Sequence, residues 1–566
     1  MTLNLLDKIG NWNPQLFREI KGRLKIGNMA IASALSLCGQ LLLFMYFSGQ
    51  IVAPPHGEYT YPIYRTFCTL EMEGLYERQC VRNALGHFAI NWPKWWLEIF
   101  EWLTFLSILA LLVAGTYMLV SDLDKEERRG TLNFIRLSPQ SAKTIFLGKI
   151  LGVPILLYLA AILTVPLHLY SGLAAQIPLN EILCFYPAVA ASCALFYSGA
   201  MLFGLTTSWL GGFQPWLASA TVFVMFWISG ALQLTRSAWD LLTFLSPIAM
   251  LRYLLFGVGV NKIHGFDSVY FEDLDKWQWF YSPVGTNTAS GLALSLLVCG
   301  TGTYWMWQGL QRRFPNPSAT VLSKRQSYWL VICCQVIFLG FALQSDLPAD
   351  NCNLSGLLIL NLLMFLALIA ALTSDRQSLY DWARYRKQIV PSNQKLWRRY
   401  PLLDLIWSDK SPAVVAIAIN LLSSVIILIP WALLEKPEIN GFCGVISCLN
   451  LILIYAAITQ LFLFTKTKNP EIWAAGTVGS AILLPPLVLS MLLLTPDKAP
   501  ILCWSLICGM LSSTFGLWFS PWTAASGNTF LLSILSQWSV LVLLNLKLRS
   551  QLKLAGESAS KALLKA

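Results

Sequence analysis

Charge is scarce in this chain. Asp, Glu, Lys and Arg make up 12% of its 566 residues, against roughly 25% in an ordinary water-soluble domain. That shortage excludes a soluble enzyme, a disordered chain and a nucleic-acid reader. Histidine is scarcer still: the four, His56, His87, His168 and His264, are scattered, so no metal site is expected. No G-x-x-x-x-G-K-[ST] loop occurs to cradle nucleotide phosphates, and H-E-x-x-H, G-x-S-x-G and paired C-x-x-C are missing as well. Neither a catalytic set, a cofactor site nor an ATPase site is expected in the chain itself.

What is abundant is apolar surface, 56% of residues with a mean hydropathy of +0.58. Residues 182–235, 277–311 and 499–546 contain no Asp, Glu, Lys or Arg. A spanning helix needs about 20 largely apolar residues, and a charge at mid-bilayer costs at least about 2.5 kcal/mol. The pattern predicts an all-α polytopic membrane protein with spans near 29–51, 98–120, 147–170, 183–209, 215–236, 285–309, 328–344, 355–373, 413–434, 442–465, 473–495 and 529–546. Two apolar segments are left over, 240–257 and 500–518. Counting the first as a normal span would turn the later basic loops outward, so it is expected to be an irregular piece near the outer surface, broken at Ser246-Pro247.

About three quarters of the 40 Lys and Arg fall in alternate connecting segments. Short cytoplasmic loops keep positive charge, so both termini are expected in the cytoplasm and the net charge of +11 reports topology rather than a nucleic-acid partner. Asp7 and Lys8 precede an apolar run too long for a signal-peptide core, which reads as a signal anchor in the cell (inner) membrane. In the outer segment 52–96, Cys68 and Cys80 either form a disulfide or stay two free thiols. Trp92, Trp95 and Trp96 form an interfacial belt. At membrane depth ionisable groups are nearly missing: His168 stands alone, and Glu98, Glu101 and Glu181 lie at borders. An uphill carrier built this way needs its energy from a partner.

Two cytoplasmic segments carry more pattern than a linker needs. Asn13-Pro14 opens a helix with a cap and a first-turn proline; Leu16, Ile20 and Leu24 then recur every four residues beside Arg18, Glu19, Lys21 and Lys25, as in a helix lying in the headgroup layer. Between the second and third spans, Asp122-Leu-Asp-Lys-Glu126-Glu127 leads through Arg128-Arg129 to Gly130-Thr131-Leu132, then Phe134, Ile135 and the stop Ser138-Pro139, and on to Gly148-Lys149. This order predicts a short surface helix, within 122–145, offering charge and apolar knobs to a cytosolic partner.

These segments resemble the ABC type-2 exporter permeases, which carry a similar acidic pair, Gly-Thr-Leu, a Thr/Ser-Pro turn and a Gly-Lys entry to the next span. The resemblance implies that the loop is a coupling helix docking on a separate ATP-binding subunit, in two copies, with Glu126, Glu127, Gly130, Thr131, Leu132, Ser138 and Pro139 at the contact. It also implies that Asn13, Pro14, Arg18 and Glu19 belong to the family's interfacial helix, and that 240–257 is a re-entrant outer helix. Asn133 departs from the family, which often has an acid there.

The second half repeats the plan. Ser121-Asp122 and Ser138-Pro139 have counterparts in Ser374-Asp375 and Ser411-Pro412, and Asn316-Pro317 echoes Asn13-Pro14. The expected organisation is an interfacial helix in 1–28, a six-span module over 29–315, a diverged six-span module over 316–546 and a basic tail, 547–566, as two parallel halves each with a re-entrant segment. The working permease is then one duplicated chain or a homodimer. An uncharged interior points to an amphiphilic, lipid or lipid-linked glycan cargo. Two other functions fit the composition: a membrane-embedded transferase using His87, His264, Asp267 and Glu272 on a lipid-linked substrate, and a non-transporting scaffold.

Overall fold

The computed structural model describes residues 8–51, 67, 70–72, 78–80, 89–231, 234, 236–257, 274–345, 353–389, 401–435, 439–465, 467, 470–491 and 527–556. These are helical apart from connecting turns, an isolated bridge and one small antiparallel hairpin, β1 (Leu70–Met72) and β2 (Arg78–Cys80), which sets Leu70 opposite Cys80. Cys68, its pairing with Cys80, the segment 500–518, and His56, His87, His264, Asp267 and Glu272 lie outside the described residues. The chain divides into two compact units. The first holds residues 1–235, 240–278 and 282–315; the second holds 236–239, 279–281 and 316–566.

In the first unit the helices are α1 (Pro14–Arg23), α2 (Ile26–Gly49), α3 (Trp92–Arg128), α4 (Thr131–Arg136), α5 (Ala142–Gly152), α6 (Ile155–Ala174), α7 (Leu179–Thr206), α8 (Gln214–Ala231), α9 (Asp240–Phe244), α10 (Ile248–Gly257) and α11 (Thr288–Arg313). The second unit contains α12 (Lys324–Ala342), α13 (Asn353–Leu372), α14 (Arg376–Ile389), α15 (Pro401–Trp407), α16 (Ala413–Glu435), α17 (Ile439–Phe462), α18 (Pro470–Met491) and α19 (Gly527–Ala555). Each of the twelve predicted spans carries a helix in its described residues. Among the described residues, seven helices are long and apolar enough to cross a bilayer, in α2, α3, α6, α7, α12, α16 and α17, and an eighth counts if α13 and α14, bent by 65°, form one broken span. On α2, Ile31, Leu35 and Leu42 are each more than 60% exposed, a surface that a bilayer rather than water would cover. The chain is a multi-pass membrane protein.

Two boundaries differ from the sequence expectation. The third span is broken, α5 ending at Gly152 and α6 starting at Ile155, because Pro154 cannot donate to the helix ladder. The charged stretch from Ser121 to Arg128 does not begin a new helix; it continues α3 without interruption. Its Asp, Lys, Glu and Arg residues carry no breaker, and the first residue able to leave the helix is Gly130, at φ +71°, a left-handed conformation that glycine adopts without strain. A single π turn, Ala110–Ala114, sits inside α3. The Leu111 carbonyl within that turn accepts the Tyr197 hydroxyl at 2.5 Å, and a Cβ on Gly115 would lie 2.2 Å from that hydroxyl.

The segment 240–257 is irregular as expected: α9 and α10 are short and separated by Leu245-Ser246-Pro247. The Trp277 indole donates to Asp240 at 2.7 Å and stacks on Phe244, while the Arg252 guanidinium donates to the Ser229 carbonyl at the end of α8. His168 is enclosed between Phe100 and Phe185, with one ring nitrogen 2.9 Å from the Thr104 hydroxyl and the other 3.0 Å from Tyr186. Both of its polar atoms are engaged within the helix packing.

Packing follows one scheme in each unit. Taking α2, α3, α6, α7, α8 and α11 in order, the first long helix packs on the third, the second on the fourth and the fourth on the sixth; α12, α13, α16, α17, α18 and α19 pair in the same way. The second unit adds buried amides. Gln335 donates to Asn361 and to Ser424 (2.9 Å), Asn420 donates to Ser327 (3.0 Å), and Gln537 donates to Ser447 (2.7 Å) while accepting from Asn450 (3.1 Å). Between apolar helices, where hydrophobic burial gives little preference for association, such bonds are worth about 1 kcal/mol each. Gln537→Leu is therefore expected to lower stability by about 1–2 kcal/mol, read as an earlier thermal unfolding midpoint of the detergent-purified chain; an unchanged midpoint would remove these amides from the account.

Candidate functional site

The residues singled out in the two patterned segments meet at one end of the first unit. Asn13 caps α1 in an extended conformation, its side-chain oxygen accepting from the Leu16 amide at 3.0 Å, while its side-chain nitrogen donates to the Thr144 carbonyl of α5 at 2.8 Å. The cap thus ties two helices together as well as starting one. Close approach is possible because α5 carries Gly148 and Gly152 one turn apart. A Cβ on Gly148 would lie 2.7 Å from the Leu16 amide nitrogen and 2.8 Å from the Asn13 oxygen; one on Gly152 would lie 2.5 Å from the Glu19 Cβ.

Around this contact sits a closed set of charges. Lys149, 1% exposed, places its ammonium 2.6 Å from Asp122 and 2.7 Å from Glu126, the latter contact too oblique for a hydrogen bond. Arg23 bridges Glu19 (3.1 Å) and Asp122 (2.6 Å); Arg18 reaches Glu126 and, at 3.3 Å, Glu19; Gln15 donates to Glu19 at 2.9 Å. Three carboxylates therefore face three cations. Glu19, Asp122 and Glu126 come within the spacing of a metal-ligand group, yet their oxygens are engaged by Lys149, Arg18 and Arg23. Burial works against the Arg18 charge, but Glu126 and Glu19 outweigh it and hold the guanidinium above its ordinary pKa.

Helix α1 therefore buries polar groups beside an apolar one. Gln15, Leu16 and Glu19 are its buried residues, and Pro14 and Arg18 are exposed. Of the expected apolar stripe, Leu16 is buried and Ile20 and Leu24 are half-buried, and the pairing of Arg18 and Arg23 with Glu126 and Asp122 ties α1 to α3.

Beyond the clamp, Gly130 ends α3, Thr131 donates its hydroxyl to the Glu126 carbonyl (3.1 Å), and Ser138 donates to the Ile135 carbonyl (2.7 Å). On α4, Leu132 and Ile135 are buried, whereas Thr131 is exposed and Phe134 and the following Leu137 are 79% and 86% exposed. Glu126 is buried, Glu127 half-buried, Ser138 half-buried and Pro139 exposed. Of the predicted contact residues, Glu126 and Leu132 thus serve the inside of the clamp, and Thr131 and Pro139 stand at the surface. Lys149, Asp122, Arg23, Gly148 and Gly152 complete the cluster without having been singled out as site residues. Their signals were the Gly-x-x-x-Gly spacing and the pairs Asp122/Glu126 and Glu19/Arg23, four apart on one helix face.

In the second unit the corresponding place holds one buried lysine, near Asp404 and Asp409. The buried Lys324 ammonium donates to the Leu405 carbonyl (2.7 Å), the Ser411 hydroxyl (2.6 Å) and the Pro412 carbonyl (3.2 Å), and Trp382 on α14 donates to Asp404 on α15 at 2.7 Å. The chain matches no family model, no curated protein and no solved structure.

Gly130 offers a direct check on the α3–α4 break. Gly130→Val forces a β-branched residue to positive φ and is expected to cost about 1–3 kcal/mol, seen as faster proteolysis at Arg128 and Arg129 in native-state digestion. Unchanged digestion would show that the turn relaxes without the left-handed geometry.

Proposed function

We propose that the chain is the membrane permease of an ATP-driven ABC transporter of the type-2 exporter kind, without an ATPase site of its own, energised by a separate ATP-binding subunit in two copies. In this reading twelve spans form two parallel six-span halves with both termini in the cytoplasm of the cell (inner) membrane, and 240–257 is a re-entrant outer segment. The shared packing scheme of the two units supports the duplication, and with it a single chain as the complete permease in place of a homodimer. The cargo class that suits the uncharged interior is an amphiphile, a lipid or a lipid-linked glycan.

The observation that carries the reading is α4: an apolar pair, Phe134 and Leu137, held out at a Gly-Thr break while Leu132 and Ile135 anchor the other face. A short helix mounted on an ion-paired clamp can pass a push from a docked subunit into α3, which runs unbroken from Trp92 to Arg128. A ligand-driven change of state requires differential affinity for two conformations, and a rigid lever at the docking site is a means of expressing it. The residues on which the transferase reading rests, His87, His264, Asp267 and Glu272, lie outside the described residues.

The test is affinity purification of the tagged chain from its native membranes, beside Phe134→Asp/Leu137→Asp. An ATP-binding subunit should accompany the native chain and be lost from the variant, whose thermal midpoint should stay unchanged because both side chains are exposed. Absence of any ATPase with the native chain, or undiminished capture by the variant, would sink the proposal.

A further inference from the structure

A cavity of about 300 Å³ lies beside the clamp, where the end of α4, the start of α5 and the end of α11 meet; its lining includes Arg136, Gln140, Ser141, Lys143, Gln311 and Phe314. No carboxylate lines it. Arg136 spends one terminal nitrogen on Asn133 at 2.8 Å, lies 5.7 Å over the Phe314 ring and leaves its Nε buried without a hydrogen-bond partner. Burial and the like charge of Arg313 lower its pKa, with Glu127 opposing, so an added anion would relieve the crowding. The α5 helix, eleven residues long, begins at this wall with Ser141 capping Thr144 at 3.2 Å, and its positive end adds to the two cations.

We infer that this cavity is a binding site for a phosphate group, held by Arg136 and Lys143 with Gln140, Gln311 and the start of α5 supplying further donors. Many donors converging on one small volume with no acid present suit a multiply charged tetrahedral oxyanion better than a single carboxylate. In the topology expected from the sequence, the position also falls at headgroup depth. Arg312 and Arg313 close α11 and Lys143 opens α5, each at the end of an apolar stretch where a bilayer's phosphates lie. An anionic phospholipid and a free phosphate share this chemistry. The inference rests on the expected spans 147–170 and 285–309 crossing a bilayer and stands apart from the transporter proposal.

Native mass spectrometry of the full chain, offered phosphatidylglycerol, phosphatidylcholine or inorganic pyrophosphate, tests it. Phosphatidylglycerol should be retained over phosphatidylcholine, and Arg136→Gln/Lys143→Gln should weaken that retention about tenfold, while Lys125→Gln/Arg129→Gln, outside the cavity lining, should not. Gln311→Glu keeps both cations and puts a carboxylate into the cavity, so it should reproduce the loss even if the double variant folds poorly. Pyrophosphate binding that falls in the cavity variants while lipid retention is unchanged would assign the site to a free phosphate. No preference for either phosphate probe, or equal losses in the cavity variants and the Lys125/Arg129 variant, would overturn the inference.

Discussion

Lys149→Met is expected to be the most damaging single substitution in the first unit, costing about 3–5 kcal/mol and lowering the thermal midpoint accordingly. The ammonium is nearly inaccessible and lies against Asp122 and Glu126. Removing it leaves Arg23 and Arg18 to neutralise those carboxylates from the more exposed side, with no cation beneath. Buried charges are costly chiefly when a partner is removed, so deleting both sides should be milder than deleting one. Lys149→Met combined with Asp122→Asn and Glu126→Gln should therefore recover much of the lost midpoint, a departure from additivity that measures the coupling directly. A single variant that melts with the native chain would mean that Lys149 is solvated in the membrane-bound protein.

The second large effect concerns glycine, and its sign depends on position. Gly148→Ala places a methyl group 2.7 Å from a backbone nitrogen of α1, and neither helix can yield without losing the Asn13 bond to Thr144. The expected cost is about 1–3 kcal/mol, with α1 released and tryptic cleavage at Lys21 and Arg23 accelerated about tenfold for each 1.4 kcal/mol of lost docking energy. Gly22→Ala, within α1 itself, meets nothing within 4 Å and should instead stabilise the helix by up to about 1 kcal/mol. Equal digestion rates for Gly148→Ala and the native chain would show that α1 is not seated on α5 in solution.

Much of this architecture was open to a reader of the sequence because it is local. Apolar run length placed the helices, Asn13-Pro14 placed the start of α1, Gly130 placed the end of α3, and Ser246-Pro247 broke the segment between α9 and α10. What escaped was non-local or rotational. Which way Glu126 points depends on Lys149, Arg18 and the turn of α1, partners far off along the chain, and a run of four acids among six residues looks equally exposed on all sides. The amphipathic pattern of α1 named the apolar stripe, of which Leu16 is buried and Ile20 and Leu24 are half-buried, but not the burial of Gln15 and Glu19 beside it, where two ion pairs to α3 and two glycines of α5 hold the helix. The break at Pro154 was visible as a residue and overlooked because the surrounding apolar run is continuous.

The π turn in α3 amounts to one residue more than a regular helix would use, and each α-helical residue turns the chain by roughly 100°. Everything after Ala114 is therefore wound out of phase with the part of α3 before it. Asp122 and Glu126 point at Lys149 only at that offset. Deleting one residue from Ala110–Ala114 would restore an unbroken α-helix while swinging the acidic face round the barrel of α3 and away from α5. The small irregularity gripped by Tyr197 at mid-helix thus acts as the timing mark of the molecule, fixing which side of the rod is offered to the rest of the mechanism.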